Sequence, residues 1–78
     1  MFRRPHMDGT LLLAQESRFL LETEQGRGHL FVLSHGANRE PQDLPAFRGK
    51  KLRVAYSSGG GLLALVAHRI TVLEENPP

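Results

Sequence analysis

The strongest constraint on the fold is an alternation of side-chain character in short segments that glycines separate. The segments "RFLLETE" (residues 18–24) and "KKLRVAY" (residues 50–56) both show it. In each, every second residue would share one face of an extended chain: Phe19, Leu21 and Thr23 in the first, and Leu52, Val54 and Tyr56 in the second. This period of two is typical of β-strands with one buried face. Lys51 and Arg53 would then point to solvent.

Three further segments are short, apolar and partly β-branched or aromatic, and we interpret them as strands: residues 10–16, 29–34 and 62–73. A helix is possible over 61–70. A strand is favoured because the end of this run alternates and is β-branched, and because no N-cap residue precedes it. The apolar residues shift from odd-numbered to even-numbered positions along the run, which predicts a β-bulge near His68 and Arg69.

The segment 35–49, "HGANREPQDLPAFRG", has a different character. Its two prolines exclude a long regular helix. We expect a loop that carries a short α or 3₁₀ turn, with Asp43 as its cap and Gly49 at its end. Leu44 and Phe47 would pack down from this turn as a plug.

The order of elements predicts a small barrel, since closure hides both the core and the strand edges. "FLLETEQG", which leads into a hairpin, "DLPAFRGKKLRVAY" and the alanine-containing last strand resemble a small bacterial OB-fold domain over residues 8–74. The resemblance implies a binding module, because OB-folds commonly bind oligonucleotides or oligosaccharides on strands 2 and 3. We predict a mostly all-β, five-stranded, OB-like Greek-key barrel with a short helical turn between strands 3 and 4.

Length and composition predict one domain without disulfide cross-links. The chain has 78 residues, and we expect a flexible tail at 1–7, the barrel at 8–75 and a frayed end at 76–78. The absence of cysteine excludes disulfides, thiolate zinc sites and cysteine nucleophiles, and is compatible with a cytoplasmic location. No apolar run approaches the ~20 residues of a membrane helix, so no membrane partner is expected.

The residues do not form a recognisable catalytic or metal-binding pattern. Ser34 and His35 are neighbours, and neighbours on a strand point to opposite faces. His29 and His35 would lie roughly 20 Å apart on an extended chain, too far to share a metal ion. We therefore expect no enzyme activity, no catalytic residues, no metal and no cofactor.

Three consecutive glycines, Gly59, Gly60 and Gly61, follow the fourth strand. A phosphate-binding loop would continue with lysine and serine or threonine before a helix, whereas leucines follow here. The segment is therefore predicted to be the turn between strands 4 and 5. A flexible turn beside a binding face can also act as a clamp on a ligand.

The leading functional hypothesis is a non-enzymatic module that weakly binds single-stranded RNA or DNA on the barrel face. The candidate residues are Arg18, Arg27, Lys51 and Arg53 for phosphates and Phe31 for base stacking. Both faces of strand 3 would be apolar, so the pattern leaves two alternatives for Phe31. It faces the core, which is favoured, or it faces the solvent.

The alternative is a protein–protein interaction or assembly module, either a monomer or a weak homodimer. Strands 3 and 5 hold more leucine and valine than one small barrel interior requires. A partner site would leave Leu30, Val32 or the segment 62–65 exposed to solvent.

Overall fold

The structure, a computed structural model, describes residues 3–59 and 63–73. Its elements in chain order are β1 (His6–Gln15), β2 (Arg18–Glu22), β3 (Gly28–Leu33), a 3₁₀ helix (Pro41–Phe47), β4 (Lys51–Ser57) and β5 (Leu65–Val72). The strands close into a barrel in the order β1-β2-β3-β5-β4. The predicted mostly-β, five-stranded OB-like barrel with a helical turn between strands 3 and 4 is confirmed.

The strands pair so that alternate residues fill one core. β3 and β5 run parallel, whereas β1–β2, β1–β4, β2–β3 and β4–β5 are antiparallel. The buried apolar residues are Leu11, Phe19, Leu21, Phe31, Leu33, Leu44, Leu52, Val54, Ala67 and Ile70. The faces predicted for strands 2 and 4 are thus confirmed, and Lys51 and Arg53 are exposed.

The 3₁₀ helix closes one part of the barrel. Leu44 is fully buried and Phe47 packs against the core, as the predicted plug requires. Asp43 is not the N-cap, because the helix begins earlier, at Pro41, and Glu40 is its N-cap. Proline is favoured at the first helical position, and Pro41 occupies it here. The Asp43 carboxylate instead accepts a hydrogen bond of 2.9 Å from the Glu40 backbone N–H.

β5 contains a β-bulge at His68, where the sequence predicted one. Arg69 pairs with Ala55 and Ala67 pairs with Tyr56, so His68 has no direct partner on β4. The bulge lets both Ala67 and Ile70 face the core, although they differ in parity. No helix in the described ranges is long and apolar enough to span a membrane.

Strand ends differ from the sequence predictions most at the N-terminus. β1 begins at His6, so the last two residues of the predicted 1–7 tail are paired with β4 instead of free. The pairing follows from barrel closure, which leaves no strand edge unpaired along β4. The segment expected to fray, 76–78, lies outside the described residues.

Candidate nucleic-acid interface

The basic residues predicted on β4 already have acidic partners. Arg53 donates two hydrogen bonds of 2.9 Å, from Nε and Nη2, to the carboxylate of Asp8 on β1. Lys51 Nζ lies 3.6 Å from a carboxylate oxygen of Glu24. Each of the two cations therefore has an acidic partner at the solvent-exposed surface of the molecule.

The depression beside Lys51 has the wrong charge for a phosphate. It encloses about 510 Å³, and its lining includes Asp8, Glu22 and Glu24 together with Lys51. The hydrogen bonds from Arg53 hold the pKa of Asp8 below its usual value of 3.8, so this carboxylate stays charged near neutral pH. An excess of carboxylates repels a polyanion. We therefore expect little attraction of phosphate to this part of the predicted interface.

Phe31 faces the core, which was the favoured alternative, so its ring is not exposed for base stacking. Phe31 is fully buried, with its ring stacked on Phe19 at a centroid distance of 5.0 Å and edge-on to Tyr56 at 6.0 Å. Its position opposite Phe19 in the β2–β3 ladder sets it on the inner face. A base could reach this ring only if the core opened.

The two remaining predicted arginines are exposed but separated. Arg18 begins β2, and Arg27 lies in the hairpin just before β3. Arg18 pairs with Val32, while Glu22 pairs with Gly28 at the other end of the same ladder. The ladder thus holds Arg18 and Arg27 apart, and the five predicted residues do not form one site.

A different groove gathers cationic side chains on the outer face of β1, β4 and β5. It encloses about 560 Å³, and we call it the arginine groove; its lining residues are Arg3, Arg4, His6, Ala55, His68 and Arg69. Among the described residues, no carboxylate lines it. The side chains of the three arginines make no hydrogen bond or ion pair with any other described residue.

Strand register builds the floor of the arginine groove. His6 and Arg69 pair with Ala55 from either side, so the three side chains form one row across β1, β4 and β5. Ala55 is small and leaves a hollow between two long side chains. The Tyr56 backbone N–H donates a 3.0 Å hydrogen bond to the carbonyl of Pro5, which holds the preceding arginines beside β4.

The bulge supplies the remaining side chain of the groove. Because His68 is the extra residue of β5, it and Arg69 both reach the lining. His68 Nε2 lies 2.7 Å from Ser57 Oγ. Burial, and next the charge of Arg4, lower the pKa of His68 below 6.5. At neutral pH this imidazole is therefore neutral and can share a hydrogen bond.

Sequence reasoning missed this groove for an identifiable reason. The signal was the "RRPH" segment at residues 3–6, which was assigned to a flexible tail. Once β1 is extended to His6, these residues lie beside β4 and β5. Their convergence with Arg69 depends on strand pairing across the chain, which a local pattern does not contain.

Gly59 follows the end of β4, where the turn to β5 was predicted to begin. Gly59 has φ of +115°, a conformation that favours glycine. Gly60 and Gly61 lie outside the described residues. Gly59 and Leu63 adjoin His29 and Leu30 in a hollow of about 350 Å³ on the outer side of β3. Gly59, the residue of the predicted clamp that the structure describes, therefore lies beside β3 and not beside Lys51 and Arg53.

Comparison with known proteins gives no relative from which a function could be carried over. No family model, no curated protein and no solved structure matches the chain. One fold hosts many unrelated functions, so the barrel alone does not assign one. The chemistry of the surface sites has to carry the functional argument.

Proposed function

We propose that the protein is a small non-enzymatic binding module for single-stranded nucleic acid, and that the arginine groove contacts the phosphates. The observation that carries this proposal is the convergence of three arginines without acidic partners and two histidines, with no carboxylate among the described lining residues. Guanidinium groups bind phosphate oxygens through paired N–H donors, which makes arginine well suited to this task.

The dimensions of the groove fit one nucleic-acid backbone. Directly paired residues have Cβ atoms about 5 Å apart, so His6 and Arg69 stand about 10 Å apart across Ala55. A phosphodiester lying over Ala55 would be within reach of both side chains. Positive grooves that follow a backbone are a common feature of proteins that bind single strands.

The chemistry of the groove also sets the expected specificity. Its described lining contains no phenylalanine, tyrosine or tryptophan, and Phe31 is in the core. Without a large aromatic ring for stacking, binding should rest mainly on phosphate neutralisation, which is independent of sequence and weakens as salt rises. We therefore expect weak binding to oligo-dT and oligo-U alike.

The test is a fluorescence anisotropy titration of labelled oligo-dT and oligo-U at several salt concentrations. Each phosphate contact contributes about 0.7 to the slope of log K against log salt for single strands. Arg69→Gln should weaken binding and reduce this slope by about that amount. Arg27→Gln is the matched control, because it removes the same charge from an exposed position outside the groove.

Two results would overturn the proposal. One is the absence of binding at low salt by the unaltered protein. The other is an equal loss of affinity in Arg27→Gln and Arg69→Gln, which would indicate attraction to net charge and not to a site.

A protein-interaction or assembly function is the second candidate, and apolar side chains on the outer surface favour it. Leu63 is 85% exposed and Leu13 is 51% exposed, while Leu30 and Val32 are half-buried on the outer side of β3. Apolar groups that cluster on a surface mark partner sites. The two functions are separable, since Leu13→Ser should leave oligonucleotide affinity unchanged if the arginine groove is the ligand site.

A further inference from the structure

Three outer rows of side chains cross β1, β2 and β3. The central row is apolar and consists of Leu13, Leu20 and Leu30, which pair directly across the three strands. Gln15, Arg18 and Val32 form the row on one side, and Thr10, Glu22 and Gly28 form the row on the other. We call these three rows together the leucine face.

The charges of the leucine face have no partners within the part of the chain that the structure describes. Arg18 and Glu22 make no side-chain hydrogen bond or ion pair there. They stand two residues on either side of Leu20, so their Cα atoms are about 14 Å apart along β2. They are too distant to pair with each other in one molecule.

We propose that the leucine face is the interface of a homodimer whose twofold axis runs along the row of Leu13, Leu20 and Leu30. Rotation about this axis sets each leucine against the same leucine of the second copy. It also exchanges the two flanking rows. Arg18 then faces Glu22 of the second copy, and Glu22 faces Arg18 of the second copy. Symmetry forms both ion pairs at once, as an interface of like surfaces requires.

The uncharged positions of the flanking rows are also complementary under this rotation. Val32 faces Gly28 of the second copy, so a branched side chain meets a position without one. Gln15 faces Thr10 of the second copy, and both are polar. Sheets that pack face to face lie about 10 Å apart and are turned by about 30°, so the contacts nearest Leu20 are the closest.

The pattern identifies the occupant as a second copy and not an unrelated protein. The face carries one positive and one negative charge at equal distances from its centre, and is therefore complementary to itself. Its apolar centre is a single row on the outside of a barrel, which curves away from the contact. The buried area is therefore small, and we expect a weak dimer whose population depends on concentration.

This inference is independent of nucleic-acid binding. The arginine groove is built on the row of His6, Ala55 and Arg69, which crosses β1, β4 and β5. The leucine face crosses β1, β2 and β3. Failure of either proposal therefore leaves the other intact, and a dimer would present two arginine grooves outside its interface.

The test is sedimentation velocity of the full chain from micromolar to millimolar concentration, with charge-exchange variants. Arg18→Glu and Glu22→Arg should each weaken association by about tenfold, because symmetry sets like charges together twice. The double variant Arg18→Glu with Glu22→Arg should restore association close to that of the unaltered protein. Arg27→Glu is the matched control, since it makes the same charge change outside the leucine face.

A circular dichroism melt of each variant separates loss of association from loss of folding. A protein that stays monomeric at millimolar concentration would overturn the proposal. A dimer whose association is unchanged by both single exchanges would also overturn it, because the contact would then involve another face. If each single exchange breaks the dimer and the double exchange does not restore it, Arg18 does not face Glu22 of the second copy, and the proposed register of the interface is refuted.

Discussion

Gly9 should tolerate no side chain, because a Cβ atom at this position of β1 would overlap β2. A Cβ atom built at Gly9 would stand 2.6 Å from the carbonyl oxygen of Glu22 and 2.9 Å from Cγ of Leu21. The first of these atoms belongs to the backbone. It cannot move aside without disturbing the pairing of Thr10 with Glu22 in the β1–β2 ladder.

We therefore expect Gly9→Ala to destabilise the barrel substantially. Overpacking in a well-packed interior typically costs about 1–3 kcal/mol, and a backbone clash belongs at the upper end of that range, about 2–3 kcal/mol. A domain of this length has a total stability of about 4–12 kcal/mol. A loss of 1 kcal/mol lowers Tm by about 4–8 °C in such domains, so Tm should fall by about 8–24 °C.

Thermal and urea unfolding of Gly9→Ala and Gly36→Ala would test this expectation. Gly36 is the matched control, because a Cβ there meets nothing within 4 Å and its φ lies outside the left-handed region. Gly36→Ala should be neutral or stabilise by about 0.4–1 kcal/mol through the unfolded chain. If the two variants unfold at the same temperature, the close approach of β1 and β2 at Gly9 is incorrect.

Two further expectations concern β5. The Asn38 side chain donates a hydrogen bond of 3.0 Å to the Ile70 carbonyl and accepts one of 2.9 Å from the Ile70 N–H. Asn38→Asp sets a carboxylate oxygen against that carbonyl and should lower the free energy of unfolding by about 1–3 kcal/mol. An unchanged midpoint in urea unfolding would contradict this expectation. The pKa of His68 in the folded protein is lowered below 6.5, so as pH falls His68 is protonated in the unfolded chain before it is protonated in the folded one. The contribution of neutral His68 to stability is therefore complete above about pH 6.5 and is lost as pH falls through the lowered pKa. An NMR titration of the His68 ring should have its midpoint below 6.5, and His68→Gln should remove that part of the pH dependence.

The sequence predicted the features that depend on neighbouring residues. The alternation in β2 and β4 assigned Phe19 and Leu52 to the core, because successive side chains of a strand point to opposite faces. The change of parity near His68 revealed a bulge for the same reason. Both inferences use only the period of two along one strand.

The features that the sequence did not predict depend on which strands become neighbours. Arg53 was correctly assigned to the surface, yet its partner Asp8 is 45 positions away and meets it only through the β1–β4 pairing. The arginine groove likewise needs β1, β4 and β5 side by side. The position of Phe31 was ambiguous because strand 3 is apolar on both parities, and only its pairing with Phe19 decides the matter.

The double pairing of β1 gives the barrel a natural order of assembly. The second half of β1 pairs with β2, its neighbour in sequence, whereas the first half pairs with β4, far along the chain. Nearby pairings close short loops and form quickly, while the distant pairing must wait for the larger loss of chain entropy. The leucine face therefore needs only the first three strands, but the arginine groove arises at the last closing step. A polyanion that binds the groove would select the closed barrel over every earlier state, and would raise the melting temperature in proportion to the logarithm of its concentration once the site is nearly saturated.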